Sequence, residues 1–510
     1  FMLLLDITVV NVALPDIQRS LHSSFSDLQW VVDAYSLTLA AFLLTAGVIG
    51  DMFGRREVFA IGLGVFSLSS LLCGLSVNSL MLNLCRGAQG VGGAIMFATS
   101  LALIAQAFQG KERGTAFGIY GAVVGGAVAV GPLVGGAITS AIGWRWIFFV
   151  NVPIGVIAIL VTLAKVQESR DSTTRRVDWV GFVSFSAALF MLVFALVRGN
   201  DDGWTSSVIL GLLVGAAILL AVFLVAEWRG SDPMLDLSLF RRPAMNGVSL
   251  VAFTIAASIF AMFLYLTLYI QDDLGYGPLA AGLRFLPITV LAFAVAPFAG
   301  RLTVRMPSRI LLGTGMLLVA VGLGLMTLVS ADSGWTVLLP GFVVTGIGIG
   351  TVNPVLASSA IAVVPPQRSG MASGANNTFR QVGIATGIAA LGAVFQSQMI
   401  SSVSSALFAT PAGRAAAAQH GGALHTAFTS GQVRTTLPRL PAAQAHAVLD
   451  AYHSAFASTL DHLLIISAVV AFLGAVAGFA LVRQRDFVPS VAPAAPPESS
   501  HREVPAGAAL

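Results

Sequence analysis

From Val208 to Ala226 the chain reads VILGLLVGAAILLAVFLVA, nineteen residues without a charge. About 20 apolar residues are what a helix needs to cross a hydrocarbon core, and the missing apolar–polar alternation argues against a barrel strand. Similar runs recur near 1–15, 30–50, 57–77, 84–107, 115–139 and 146–164, then 178–197 and 207–227, then 244–270, 279–299, 308–330, 335–357, 372–400 and 460–482. Fourteen spans are predicted, in a six, two, six arrangement. Over 510 residues, 56% are hydrophobic and only 10% are Asp, Glu, Lys or Arg, against roughly 25% in a soluble domain. Backbone polar groups in lipid must be satisfied within their own segment, so an all-α integral membrane protein is expected and a soluble globular one is excluded. The 53 glycines exceed the ordinary share of about 7% and suit close helix packing in lipid. The first run, Phe1 to Leu14, is shorter than a full span and reads as a helix lacking its start.

The loops after every second span, with the C-terminal tail, hold 18 of the 27 Lys and Arg residues, including Arg55, Arg56, Lys111, Arg113, Arg241, Arg301 and Arg305. The opposite short loops hold only Arg19, Arg145, Arg198 and Arg284. Basic residues mark the cytoplasmic side, so the expectation is a multi-pass protein of the cytoplasmic membrane with both termini inside. The net charge of +4 reports orientation and not nucleic-acid binding. Residues 401–459 are rich in Ala, Ser, Gln and Thr and contain His420, His425, His446 and His453. Those spacings match no ligand set on one helix turn, so the stretch is read as an unliganded extracytoplasmic loop. With no evident apolar face to pack, it is expected to be dispensable for transport, and it is the place for a periplasmic or cell-envelope partner. Cys73 and Cys85 lie in apolar segments with no partner motif, so neither a disulfide nor a metal site is expected. Four regions follow: 1–164 as an N-terminal six-helix bundle, 165–243 as two inserted spans, 244–485 as a C-terminal six-helix bundle including the loop, and 486–510 as a disordered cytoplasmic tail.

H-E-x-x-H, P-loop and G-x-S-x-G motifs are absent, so no catalytic residue and no enzyme activity is expected. The string Gly346-x-Gly348-x-Gly350 follows no strand and is read as helix packing. Ionisable groups inside spans cost several kcal/mol, which makes Asp6, Asp33, Arg86 and Arg380 informative. A carboxylate removed from water can exchange protons near neutral pH, as a proton carrier must, so Asp6 and Asp33 are candidates for proton coupling. The bland alternative is a structural aspartate bonded to a neighbour. On span 4, Arg86, Gln89, Gly90 and Gly93 recur at i, i+3, i+4 and i+7 and share one face. Arg86 either pairs with a carboxylate across the bundle or anchors backbone carbonyls. On span 5, Gly118, Gly121, Gly125, Ala129, Pro132 and Gly136 form a stripe of small residues that admits a close neighbour, with Gly131-Pro132 and Gly135-Gly136 at its core. The short loop Gly47-x-x-x-Asp51-x-x-Gly54-Arg55-Arg56 has a counterpart in Gly300-Arg301-x-x-x-Arg305, eight spans later, which points to two related halves.

These motifs together resemble the fourteen-span drug:proton antiporter family of the major facilitator superfamily, from residue 1 to about 485. The first-span signature appears as Leu5-Asp6-x-Thr8-Val9-Val10-Asn11-Val12-Ala13-Leu14-Pro15, and the loop signature runs from Gly47 to Arg56. The fourth-span signature is Arg86-x-x-Gln89-Gly90-x-Gly92, and the antiporter signature is Gly131-Pro132-x-x-Gly135-Gly136. The fourteen-span signature is Trp144-Arg145-Trp146-x-Phe148-Phe149-x-Asn151-x-Pro153-x-Gly155. Met52 and Ala127 depart from the usual pattern. The resemblance implies a multidrug efflux permease of the major facilitator fold, driven by the proton motive force without a cofactor or metal, that exports lipophilic and often cationic drugs by alternating access. It implies that Asp6 and Asp33 carry protons or face cationic substrate, coupled to Arg86 and Gln89, and that Asp51, Arg55 and Arg113 latch the inward gate. Its implied partners are small lipophilic substrates, protons and the bilayer, with the chain a monomer. A dedicated exporter of one endogenous antibiotic, lipid or siderophore is the alternative reading. A membrane enzyme or channel is a remote one, since no catalytic cluster or pore signature is evident. Phe253, Phe260, Phe263, Tyr265, Tyr269, Phe285 and Phe293 either line an apolar site or face lipid.

Overall fold

The computed structural model describes residues 2–108, 123, 126–127, 130–168, 178–230, 233, 235–303, 305–330, 333–364, 369–430 and 440–487. Among the described residues there are helices and turns and no strand. The N-terminal half comprises α1 (Met2–Leu21), α2 (Phe25–Phe53), α3 (Arg55–Gly74), α4 (Ser79–Ala107), α5 (Val130–Ile142) and α6 (Trp146–Lys165). The inserted pair is α7 (Trp179–Asp202) and α8 (Ser207–Arg229). The C-terminal half comprises α9 (Pro243–Asp273), α10 (Pro278–Arg284), α11 (Leu286–Leu302), α12 (Ser308–Leu325), α13 (Leu339–Ala362), α14 (Ser369–Ala409), α15 (Pro411–Ser430) and α16 (Ala442–Leu481).

Local chemistry starts several of these helices. Ser24 and Asp27 form a reciprocal capping box at the head of α2, and Asn78, Asp178 and Ser206 each accept a backbone N–H at the heads of α4, α7 and α8. Among the described residues ten helices are long and apolar enough to cross a membrane, and the bent pair α10–α11, turning through 42°, makes an eleventh if it is counted as one span. That differs from the predicted fourteen. Charged Asp6, Asp16 and Arg19 interrupt α1, and α5 is described over Val130–Ile142 only; neither these nor α2 enter the count. The first part of the predicted span 5, with Gly118, Gly121, Gly125 and Ala129, lies largely outside the described residues, as does nearly all of the 486–510 tail.

Helix α4 packs between α2 and α3, and α6 closes on α3. In the other half α12 packs against α13 and α16, and α13 against α11. Helix α14 touches α2, α7, α9 and α16, so it runs along the seam between the halves. The inserted α7 lies on the same seam, where Leu189, Val193 and Val197 join Leu37 and Ala40 of α2 and Ala385 and Ala389 of α14 in one buried cluster. Its partner α8 instead presents Val208, Leu210, Val214 and Ile218 outward, the pattern of a lipid-facing helix.

The 401–459 stretch corrects the expectation of a loop without a packing face. It is helical through the end of α14, all of α15 and the start of α16, and Leu407, Leu424, Val448, Tyr452 and Phe456 are buried in the main core. Its apolar residues are spaced too widely among Ala and Ser to read as a stripe. The face forms because three helices pool them.

Candidate functional site

Asp6 sits on α1 and is 4% exposed. Three donors from two other helices converge on its carboxylate. Arg86 Nη1 donates to Oδ2 at 2.5 Å, Gln89 Nε2 to Oδ1 at 3.0 Å, and Asn151 Nδ2 to Oδ1 at 3.3 Å. The spacing that placed Arg86 and Gln89 on one face of α4 thus has a direct consequence, because both reach the same aspartate. Arg86 Nη1 also donates to Gln89 Oε1 at 2.7 Å, which orients the amide so that its nitrogen faces Asp6. Its Nε donates to the Val31 carbonyl of α2 at 3.0 Å, and its guanidinium lies over the Tyr35 ring, 4.3 Å from the centroid. Pairing and anchoring, the two roles open to Arg86, therefore occur together.

The network continues outward. Asn151 on α6 also donates to Ser70 Oγ at 3.1 Å, Ser70 donates to the Phe148 carbonyl at 2.9 Å, and the Cys73 thiol donates to Gln89 Oε1 at 3.7 Å. Asp6, Arg86, Gln89, Asn151, Ser70 and Cys73 are all buried, and they bring four helices, α1, α3, α4 and α6, together on one polar cluster in a low-dielectric interior. A buried charge in such a place is tolerated only when paired and hydrogen-bonded, as this one is.

Asp33 is 0% exposed, yet neither carboxylate oxygen has a hydrogen-bond partner among the described residues. Of the two aspartates expected to couple to Arg86, the structure pairs Asp6 directly with it and gives no hydrogen bond from Arg86 to Asp33. Asp33 lies on the opposite side of α2, toward the seam. One turn earlier Gln29 Nε2 donates to the Ile388 carbonyl of α14 at 3.2 Å, and the Tyr265 hydroxyl of α9 donates to the same carbonyl at 2.8 Å. Arg380 lies over the Phe260 ring at 4.8 Å from its centroid.

The antiporter motif is a close contact on two sides. A Cβ on Gly131 would strike the Thr8 side chain of α1, and one on Gly135 would come within 2.9 Å of Val9 backbone atoms. Gly136 faces the backbone of Pro278 and Leu279 of α10, while the Pro132 carbonyl occupies the space that a side chain at Gly282 would need. Helix α5 is therefore wedged between α1, which carries Asp6, and the C-terminal half.

In the loop motif, Gly54 alone separates α2 from α3 at φ +116°, a conformation that favours glycine. Gly47 faces Ala98 of α4 across van der Waals contact distance. The Asp51 side chain and all of Arg113 lie outside the described residues. Arg55 and Arg56 begin α3, where basic residues oppose the helix dipole. Glu168, from the segment after α6, offsets them: its carboxylate accepts the Arg56 and Glu57 backbone N–H groups at 3.1 and 3.3 Å and lies 3.7 Å from Arg56 Nε. Sequence reasoning missed Glu168, whose only signal was an acid in a basic loop. It also missed Tyr35 and Ser70, which carried none, whereas Asn151 stood inside a quoted signature. Among the described residues no cluster of three His, Cys, Asp or Glu side chains offers a metal site.

Comparison with known proteins adds the family. Residues 1–388 match the Major Facilitator Superfamily profile. The chain is 38% identical over 395 residues to Multidrug resistance protein Stp of Mycobacterium tuberculosis, covering 77% of this chain and 73% of that one. It is 33% identical over 399 residues to the Tetracenomycin C resistance and export protein of Streptomyces glaucescens, covering 78% and 74% respectively. The fold is similar to the crystal structure of a bacterial homologue of the human lysosomal transporter Spinster in an inward-facing and occupied conformation, with a TM-score of 0.62, 16% identity and 96% of each chain covered. Signature motifs, buried ionic cluster, helical fold and these matches agree: the chain belongs to the major facilitator superfamily, a family of membrane transporters and not of enzymes.

Proposed function

We propose that the protein is a proton-coupled antiporter that exports lipophilic, often cationic, drugs across the cytoplasmic membrane by alternating access. The observation that carries this reading is the Asp6 cluster. Its carboxylate is buried and ties α1 to α4 and α6 through Arg86, Gln89 and Asn151, so protonation weakens the ties between helices that must move. Proton entry supplies about 1.4 kcal/mol per pH unit, and about 2.3 kcal/mol per charge per 100 mV, enough to move an amphiphile uphill.

In this reading α1, α2 and α5 also cross the bilayer, which gives fourteen spans in three blocks, 1–164, 165–243 and 244–485. The basic loop end is cytoplasmic, with both termini, and the 401–459 end is outside. Asp33, at the seam with α9 and α14, faces cationic substrate. Asp51 and Arg113 join Arg55, Arg56 and Glu168 in the inner latch. The chain acts as a monomer without a cofactor. A second reading, export of one antibiotic, is favoured by relatives named for single compounds, such as the Puromycin resistance protein pur8 of Streptomyces alboniger.

The test is substrate movement in everted vesicles on imposing a proton gradient, across a panel of lipophilic cations, neutral drugs and anions. Uphill movement that a protonophore abolishes is the expected result. Movement of several cations favours multidrug export, and of one compound alone the dedicated reading. If no member of the panel moves with the proton gradient, the antiport reading fails.

A further inference from the structure

Helices α14 and α16 are 41 and 40 residues long, about twice what the hydrocarbon core requires. Their excess meets at the 401–459 end, where α15 packs against both. A chain of aromatic rings lies at the base of this projection and crosses from one half of the protein to the other. Phe25, the first residue of α2, stacks on Phe395 of α14 with centroids 4.9 Å apart and planes at 29°. Phe395 meets Phe456 of α16 edge-on at 5.4 Å, and Phe456 lies 5.9 Å from Tyr269 of α9.

A polar contact brings the projecting turn of α16 against the end of α9. His453 Nδ1 lies 3.3 Å from Asp273 Oδ1, whose side chain is only 3% exposed. Asp273 closes a π-helical turn, Tyr269–Asp273, that ends α9. From the same turn Gln271 Nε2 donates to the Val12 carbonyl of α1 at 2.7 Å, so the turn grips both halves. Above the rings a cleft opens between Gln18, Asp272, Gln396 and Met399.

We infer that the 401–459 segment supplies the outer gate of the transporter: Phe456 completes an aromatic plug with Phe25 and Phe395, and the His453–Asp273 pair holds α16 in its closed position. Phe25 and Phe395 belong to different halves, so the stack must part whenever the protein opens at this end. While closed, its apolar rings keep water and protons from the buried polar groups beneath. The inference rests on the transport reading above and deepens it, since a coupled antiporter fails if protons leak past its gate.

The experiment places a reporter under the plug. Val32 is 4% exposed and sits two turns below Phe25 on α2. Val32→Cys, in vesicles with the 401–459 side outward, is treated with a membrane-impermeant maleimide. The parent chain, with Cys73 buried and Cys85 part-buried, gives the background. Adding Phe456→Ala should raise the labelling rate about tenfold, since losing a ring contact shifts the open–closed balance by about 1.4 kcal/mol. Asp273→Asn, which keeps every ring, should raise it in the same direction by less, which guards against a folding defect in Phe456→Ala. Labelling needs no export: if it responds and no drug moves, the gate stands and the export reading fails. Labelling indifferent to both substitutions overturns the gate, whatever the chain transports.

Discussion

Asp6 accepts three hydrogen bonds, one of them from an arginine, whereas Asp33, equally buried on the neighbouring helix, accepts none among the described residues. The two sites lie on opposite sides of α2 and answer to different parts of the protein. Each partner of Asp6 comes from the N-terminal half, so in the proposed mechanism proton traffic there would be tied to how α1, α4 and α6 sit relative to one another. Asp33 faces the seam with α9 and α14, beside Gln29 and Tyr265. An unsatisfied buried polar group costs about 1–3 kcal/mol, a cost that a bound cation would relieve. Under the proposed function the difference becomes a division of labour, with the saturated carboxylate assigned to coupling and the unsatisfied one to recognition.

The largest effect that would break this division is expected at Asp6. Asparagine cannot titrate, so Asp6→Asn should reduce pH-driven uphill efflux in vesicles to that of vesicles lacking the protein, with substrate binding retained. A substrate gradient still built by the mutant would move the coupling role to Asp33. Next comes Arg86→Ala, which leaves a buried carboxylate without its counter-ion and should cost about 3–5 kcal/mol of stability in detergent unfolding. Adding Asp6→Asn should recover part of that loss; if the two losses simply add, the pair is not coupled. Smaller in stability, though decisive for movement, is Gly135→Leu, which forces a side chain into the Val9 backbone and should cost about 1–3 kcal/mol. Export should be lost while the protein still reaches the membrane, and full transport would show that α5 and α1 need not stay close. The smallest effect is Asp33→Asn. It should weaken binding of cationic drugs about tenfold, the loss of one charge-assisted contact of roughly 1.4 kcal/mol, and spare neutral ones. Equal weakening of both classes would remove recognition from Asp33.

Much of the site was legible before the fold. Arg86 and Gln89 share a face by periodicity alone, and Asp6 stood out as a charge within an apolar run. The glycines of α5 announced a close contact, though not that α1 lies on one side and α10 on the other. Glu168 was not legible, since an acid becomes a helix cap only when a chain segment more than 100 residues away brings it to the head of α3. The packing of 401–459 was hidden for a similar reason: Leu407, Leu424 and Phe456 sit on three separate helices, and no one of them carries a convincing apolar stripe.

By itself the sequence determined that the chain is helical and membrane-embedded, because hydrocarbon admits only segments that satisfy their own backbone, and run length and charge placement are local properties. It also determined the family, because signature residues are read in order along the chain. Only the tertiary structure decided that Arg86 pairs with Asp6, 80 residues away, and not with Asp33, and that Phe456 closes a ring stack begun by Phe25. Those choices depend on the rotation and crossing of whole helices about one another, which periodicity within a single helix does not encode.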